Sequence, residues 1–161
     1  MTMPSKPSGP PARPSNQEGS TKSWKTPEPA DVLSYAYLWA DEADKGQEEG
    51  LKDRPVVVVV ARTVVGDRMQ LLVAPITHSK PEEGEGVEVP PPVKRHLGLD
   101  RERSWIITTE LNRFIWPGPD IRLAPGDDDP FYGEIPARLF EEMRSAILAN
   151  AARLRMTKRT E

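Results

Sequence analysis

Two segments of the chain are apolar for most of their length, residues 54–60 and 71–79. Five consecutive valines fill the first segment, and a Leu-Leu-Val run begins the second. Because β-branched side chains suit a pleated surface, the pattern predicts two strands that are covered on both faces. A Gly-Asp turn at 66–67 lies between them and favours antiparallel pairing. Arg54, at the start of the first strand, is then expected beside Thr77, near the end of the second.

Shorter apolar stretches predict the remaining elements. Residues 31–39 are rich in aromatic side chains with partial alternation, which predicts a first strand. Further short strands are predicted at 87–89, 104–109 and 120–123, with a helical turn ended by Gly98 at 93–99. Apolar side chains at three- to four-residue spacing predict an amphipathic helix over 136–155. Five to seven short, mostly antiparallel strands and a C-terminal helix predict a mainly β fold with α, a small SH3-like barrel.

Proline-rich and charged segments set the predicted domain boundaries. Residues 1–29 hold seven prolines among Ser, Gly and Lys, which is typical of a disordered tail. Residues 30–155 form the predicted globular domain, and 156–161 a basic C-terminal tail. Residues 40–53 are rich in acidic side chains and predict a long exposed loop. Loops of that length are often functional.

Charge and composition exclude several classes of function. The chain carries −3 overall, and residues 1–29 carry +2, so the remainder carries −5. This acidic body argues against broad nucleic-acid binding, although it does not exclude a local basic cleft. The absence of cysteine excludes disulfides and thiol chemistry, and only His78 and His96 are present for a histidine metal site. With no signal-peptide pattern and no membrane-length apolar run, a soluble cytoplasmic protein is expected.

Several short motifs follow one another over residues 30–150: Ala30-Asp31-Val32, Gly46-Gln47-Glu48-Glu49, Arg54-Pro55 before the valines, Pro75-Ile76-Thr77-His78-Ser79, Glu110 with Arg113, and Gly133-Glu134-Ile135-Pro136. Each motif is weak alone. Their order resembles the MazF/PemK toxins of type II toxin–antitoxin systems, and the proline-rich insert at 89–100 is similar to the PemK-like subgroup. The family's opening glycine is Ala30 here, and the loop before Arg54 is more acidic. These departures bear on substrate specificity more than on fold.

The resemblance implies a metal-independent endoribonuclease that needs no cofactor and cleaves single-stranded RNA through the RNA's own 2′-hydroxyl. It also implies a growth-inhibiting toxin that forms a homodimer and is held in check by a cognate antitoxin protein, with no membrane partner. Arg54 and Thr77 occupy the family's catalytic positions, where a guanidinium stabilises phosphoryl charge and a hydroxyl donates a hydrogen bond. The residues expected to bind substrate are Glu48, His78, Ser79 and Arg113.

Other interpretations stay open from the residues alone. A barrel of this type without nuclease activity, acting as a nucleic-acid or protein binding module, is favoured by the acidic body. Retention of Arg54 and Thr77 favours the nuclease. A toxin that acts on DNA gyrase is a fold-level analogy only. His78 has a side chain suited to proton transfer, but adjacent strand residues point to opposite faces, so its place beside Thr77 is open.

Overall fold

The computed structural model describes residues 24–48, 50, 52–126 and 128–159, so the predicted tail falls outside the described residues up to position 23. Within the described ranges, nine strands and three α-helices follow one another. They are β1 (Asp31–Tyr35), α1 (Ala40–Asp44), β2 (Arg54–Val64), β3 (Arg68–Thr77), β4 (Gly86–Glu88), α2 (Pro91–Leu97), β5 (Trp105–Ile107), β6 (Glu110–Trp116), β7 (Ile121–Arg122), β8 (Phe131–Glu134), α3 (Ala137–Ala149) and β9 (Arg155–Lys158). The predicted mainly β fold with a C-terminal helix is confirmed.

The centre of the sheet is the long β2–β3 hairpin that the valine run predicts. Its register runs from Val56 opposite Pro75 to Val64 opposite Arg68. A short 3₁₀ turn at Val65–Asp67 reverses the chain, and Gly66 takes a positive φ of 77° there, a conformation that favours glycine. The hairpin thus follows directly from the local sequence.

Both faces of the hairpin are covered at Val56–Val58, as the valine run predicts, whereas the rest of β2 is half-buried or exposed. Val56 and Val58 pack in one apolar cluster with Tyr35 and Phe114, whereas Val57 packs in a second cluster with Met143 of α3. Successive strand residues point to opposite faces, so one valine run supplies both clusters. All three valines are 0 % exposed.

The strands form an open sheet in the order β4-β5-β3-β2-β1-β7, with β6 beside β3, β8 beside β1 and β9 beside β6. The pairs are antiparallel except β6 with β9. The edge of β3 is shared: Met69–Val73 pair with β6, and Ile76–Thr77 pair with β5. The path runs from β4 to β7, and no pairing joins these two strands among the described residues, so the sheet is not closed into the barrel that the strand count predicts.

Helix α3 is shorter than the apolar spacing predicts. It ends at Ala149, and the side chain of the next residue, Asn150, donates to the carbonyls of Ala146 and Gly84 at 3.0 Å each. These bonds tie the helix end to a neighbouring loop. A 3₁₀ turn follows at Ala151–Arg153, and Arg155–Lys158, expected in the helix and in a C-terminal tail, form β9 instead. None of the helices in the described ranges has the length and apolarity needed to cross a bilayer.

Two other segments differ from their predictions. The acidic stretch expected as a loop begins with the short helix α1, whose first N–H groups find carboxylate acceptors: Trp39 donates to Glu42 at 3.1 Å and Ala40 donates to Glu110 at 2.9 Å. Residues 24–29, expected within the disordered tail, contact the body. The ring of Trp24 lies 5.9 Å from that of Trp116.

The C-terminal end is fixed by a buried arginine. Arg159 is 2 % exposed, and its Nη1 donates to the carbonyl of Ala36 at 2.7 Å and to Asn112 Oδ1 at 3.1 Å. Its Nη2 forms an ion pair with Asp120 Oδ2 at 2.9 Å. A buried charge is tolerated only when paired and hydrogen-bonded, so these contacts hold Arg159 against β6 and the segment that follows β1.

We predict that Arg159→Ala lowers the free energy of unfolding by about 3–5 kcal/mol, because it leaves the Asp120 carboxylate buried without its partner. Urea denaturation measures the change. The neighbouring variant Lys158→Ala, at an exposed position, is the matched control and should stay within about 0.5 kcal/mol of the wild type. Adding Asp120→Asn to Arg159→Ala should recover part of the loss; no recovery would contradict the explanation.

Candidate active site

The hairpin register brings Arg54 and Thr77 to the same rim of the sheet. Val56 lies opposite Pro75, and both Arg54 and Thr77 are two residues further along their strands towards that rim. Because side chains two residues apart share a face, the pair projects on one side. Both residues line a cavity of about 360 Å³ and an adjoining one of about 490 Å³. Cavities of this size are typical of small-ligand sites.

The guanidinium of Arg54 is held in place but keeps unused donors. Its centre lies 5.1 Å from the ring centroid of Trp39, and its Nη1 donates to the Ile76 carbonyl at 3.4 Å. Its Nε is buried and has no hydrogen-bond partner among the described residues. Burial lowers the pKa of Arg54 from its ordinary value, with Glu42 and Tyr37 opposing the shift. A partly dehydrated cation with no carboxylate oxygen within 4.0 Å among the described residues is suited to receive an anion.

Trp39 packs against Tyr37, which is itself hydrogen-bonded to Glu110. Its ring meets that of Tyr37 edge-on at 5.2 Å between centroids. The Tyr37 hydroxyl donates to Glu110 Oε1 at 3.1 Å, and the same oxygen accepts the Ala40 N–H at 2.9 Å. Burial raises the pKa of the Glu110 carboxyl, and these two hydrogen bonds oppose that shift. Glu110 therefore helps to position Arg54 through two aromatic rings.

Thr77 presents its hydroxyl from the end of β3. The residue is 9 % exposed, and its Oγ1 accepts the backbone N–H of Ser79 at 3.1 Å. The oxygen is thereby oriented while the hydroxyl proton stays available to donate, because no acceptor for it occurs among the described residues. Thr77 can thus offer one hydrogen bond to a group in the cavity.

His78 also lines both cavities, which strand alternation alone does not predict. The reason is that β3 ends at Thr77, so the next residue is free of the strand's geometry. His78 Nε2 lies 2.8 Å from Asp100 Oδ2. Asp100 is in turn bonded to the buried Lys94, whose Nζ lies 2.7 Å from Oδ1.

The cavities carry unpaired positive charge despite the acidic body. Four acids line them, and each has a partner: Asp53 with Arg122, Glu85 with Arg153, Asp100 with Lys94, and Glu110 with Tyr37 and the Ala40 N–H. In contrast, Lys52, Arg54 and Lys80 have no carboxylate oxygen within 4.0 Å in the part of the chain that the structure describes. The local field therefore favours an anionic ligand.

The structure brings together only part of the predicted site. Arg54, Thr77 and His78 line both cavities, and Ser79 lines the second. Glu48 and Arg113 line neither; Glu48 is exposed, and Arg113 lies in β6 opposite Leu72. The site residues without a predicted role are Trp39, Lys52, Lys94, Asp100, Glu110 and Tyr132. Of these, only Glu110 belongs to a motif in the sequence.

One group of side chains has the donor types of a metal site. Ligand atoms of His78, Asp100 and Glu102 lie within 4.8 Å of one another, and all three residues are exposed. The ammonium of Lys94, however, already occupies one Asp100 oxygen, and its positive charge disfavours a cation at that point. The arrangement fits an oriented histidine better than a metal site.

We predict that Glu110→Gln preserves or raises stability at pH 7, whereas Glu110→Ala lowers it by about 1–3 kcal/mol by leaving buried donors unpaired. Glutamine retains the accepting oxygen without the buried charge. Because the pKa of Glu110 is raised above 4.5, its charge is unfavourable at neutral pH. The difference between Glu110→Gln and wild type should vanish as the pH falls below about 4.5. Equal destabilisation by Gln and Ala at pH 7 would contradict this role.

Comparison with known proteins leaves the site to be interpreted from its own residues. No protein-family model and no curated protein matches the chain.

Proposed function

We propose that this protein is a metal-independent endoribonuclease that cleaves single-stranded RNA, acting as the toxin of a toxin–antitoxin pair. The observation that carries the proposal is the presence of Arg54 and Thr77 on the wall of the same cavity, where the ends of β2 and β3 meet. These are the two positions that the resemblance to MazF/PemK toxins assigns to catalysis.

The two side chains match the needs of the reaction. The 2′-hydroxyl of a ribose attacks the adjacent phosphorus, the bond to the 5′-oxygen breaks, and a 2′,3′-cyclic phosphate forms. Negative charge grows on the phosphoryl oxygens, and the free N–H groups of Arg54 stabilise it. The Thr77 hydroxyl adds a further hydrogen bond. The nucleophile belongs to the RNA, so the protein needs no nucleophile of its own.

Charge supports a phosphodiester as the ligand. Three cations that line the second cavity with Thr77 have no carboxylate oxygen within 4.0 Å among the described residues: Lys52, Arg54 and Lys80. Phosphate contacts of this kind position a nucleic acid without reading its sequence. Trp39 and Tyr132 also line the cavities and offer aromatic surface to unstacked bases.

The partners follow from the same proposal. A cognate antitoxin protein occupies the site when the toxin is held inactive, the active form is a homodimer, and its substrate places it in the cytoplasm. Light scattering on the purified protein should give a mass near twice the chain's 18.0 kDa. A mass equal to that of one chain would contradict the dimer but not the nuclease.

We predict that the purified protein cleaves a diverse single-stranded RNA pool in the presence of EDTA, leaving cyclic phosphate and 5′-hydroxyl ends. Arg54→Ala and Thr77→Val should each lower kcat about 100-fold, because each removes one donor to the transition state. Thr77→Ser keeps the hydroxyl and should keep most activity. Arg62→Ala changes an exposed arginine of the same strand and is the matched control. End-group analysis and initial rates measure these effects.

Failure to cleave any sequence in the pool would overturn the nuclease. The acidic body then favours the second candidate, a binding module of the same fold. That candidate predicts binding of RNA or protein at the cavity without product, and a loss of binding in Arg54→Ala. Growth arrest on expression of the wild type, absent with Arg54→Ala, would support the toxin over the binding module.

A further inference from the structure

Arg54 and Thr77 leave the removal of the 2′-hydroxyl proton unexplained. A guanidinium stays protonated at neutral pH and has no acceptor lone pair, so Arg54 cannot take a proton. Thr77 is a donor to the developing charge. We propose that His78 is the general base of the reaction, with Asp100 and Lys94 as its positioning residues. This inference rests on the proposed ribonuclease function.

The contacts of His78 define which nitrogen is available. Nε2 lies 2.8 Å from Asp100 Oδ2 and 3.1 Å from Oδ1, so the proton of the neutral ring sits on Nε2 and is donated to that carboxylate. Nδ1 then keeps its lone pair and is the atom that accepts a proton. Glu102 Oε1 lies 3.8 Å from Nδ1, where it stabilises the charge that the ring gains.

Asp100 is itself held by two hydrogen-bond donors. Its Oδ1 accepts the Lys94 ammonium at 2.7 Å and the backbone N–H of Glu102 at 3.1 Å, which leaves Oδ2 for His78. The hydrogen bond from Lys94 lowers the pKa of the Asp100 carboxyl from its ordinary value, and burial opposes the shift. The carboxylate is therefore ionised at neutral pH and accepts from the imidazole.

Lys94 is a positioning device rather than a surface charge. It is 4 % exposed, and its three N–H groups go to Asp100, to Ser104 Oγ at 2.7 Å and to the carbonyl of Glu102. All three acceptors lie in the loop after helix α2, so the ammonium holds that loop in place. Lysine is almost never fully buried unless it is paired, and here each of the three donors has an acceptor.

Helix α2 ends in a way that places the acid above the lysine. Gly98 has a φ of 71° and donates to Arg95 at 3.1 Å, and Leu99 donates to the Lys94 carbonyl at 2.9 Å. This Schellman-type end reverses the chain after one further residue and carries Asp100 back over Lys94. The proline-rich insert at 89–100 thereby supplies the group that orients His78.

The location separates this pair from an ordinary surface contact. A half-exposed histidine–aspartate pair contributes little to stability by itself. Here the histidine lines both cavities beside Arg54 and Thr77. The proton of the 2′-hydroxyl passes to Nδ1 as the new 2′-oxygen–phosphorus bond forms, and the departing 5′-oxygen takes a proton from water. His78 then returns its proton to solvent, so atoms and charge balance over one turnover.

The test uses the only two histidines of the chain. RNA cleavage with EDTA present is measured for the wild type, His78→Ala and His96→Ala. We expect kcat to fall about 100-fold or more in His78→Ala with little change in KM, because a general base contributes about 10²–10⁴. His96 lies exposed on α2 and its variant should match the wild type. Free imidazole should restore the rate of His78→Ala in proportion to its concentration, and should not restore that of Arg54→Ala.

The positioning role of Asp100 has a separate readout. Asp100→Asn should lower kcat about tenfold in the wild-type background and have no further effect in His78→Ala. Asp100→Glu, which keeps the charge, should recover part of the rate. Unfolding by urea, measured in parallel, shows whether each variant is folded. Asp100 is the residue chosen for substitution because its side chain is exposed, whereas that of Lys94 is buried.

Loss in His78→Ala with imidazole rescue supports the general base, and a null effect of Asp100→Asn in that background supports the positioning role. If the wild type cleaves and His78→Ala is as fast, or if imidazole restores nothing, the inference fails while the ribonuclease stands. If the wild type does not cleave at all, both fail together.

Discussion

The register of the β2–β3 hairpin is the constraint on which the site depends. Val56 and Val58 fill one apolar cluster and Val57 fills the other, so a slip by one residue would exchange the two faces. A register fixed by burial on both faces is strongly specified. The same register aligns the ends of the strands and places Arg54 with Thr77. The packing of the core therefore fixes the positions of the two strand ends that carry the site.

The polar contacts around that rim work against stability as much as for it. Arg54 is half-buried with a donor unpaired, and Glu110 is half-buried with its charge opposed by desolvation. Local arrangements that break the rules of a well-packed interior are expected at functional sites. The compensation comes from the valine core and from the buried Arg159–Asp120 pair. These contacts lie close to the site, since Arg159 contacts Tyr35, which pairs with Arg54.

The sequence predicts what depends on local patterns. The hairpin, its turn, the glycine-ended helix α2 and the C-terminal helix all follow from residue spacing, as does the meeting of Arg54 with Thr77. What it does not predict depends on partners far along the chain. Helix α1 forms because Glu110, 70 residues from Ala40, accepts its first N–H. Strand β9 forms because β6 has a free edge, which no local pattern in a basic segment reveals.

Lys94 illustrates the same limit at the site. A lysine between Val93 and Arg95 is typical of a surface, and nothing local shows that its acceptors lie 6 to 10 residues ahead. Because Lys94 is buried, its ammonium is not solvated but forms an ion pair with Asp100. The position of His78 also depends on distant residues. Strand β3 ends before it, and the loop after α2 brings Asp100 to its ring.

Net charge is a similar case, because it averages over groups that do not act together. A body of −5 suggests repulsion of RNA, yet three of the four acids that line the cavities are in ion pairs, whereas three of the lining cations have no carboxylate oxygen within 4.0 Å among the described residues. A phosphate in the cavity experiences those nearby unpaired charges more strongly than the distant acids, which salt screens beyond about 10 Å. The pairing pattern, not the total, therefore decides which ligand the site attracts. In an acidic protein with a small basic site, the remaining surface repels anions, so an anionic ligand is directed towards the cavity.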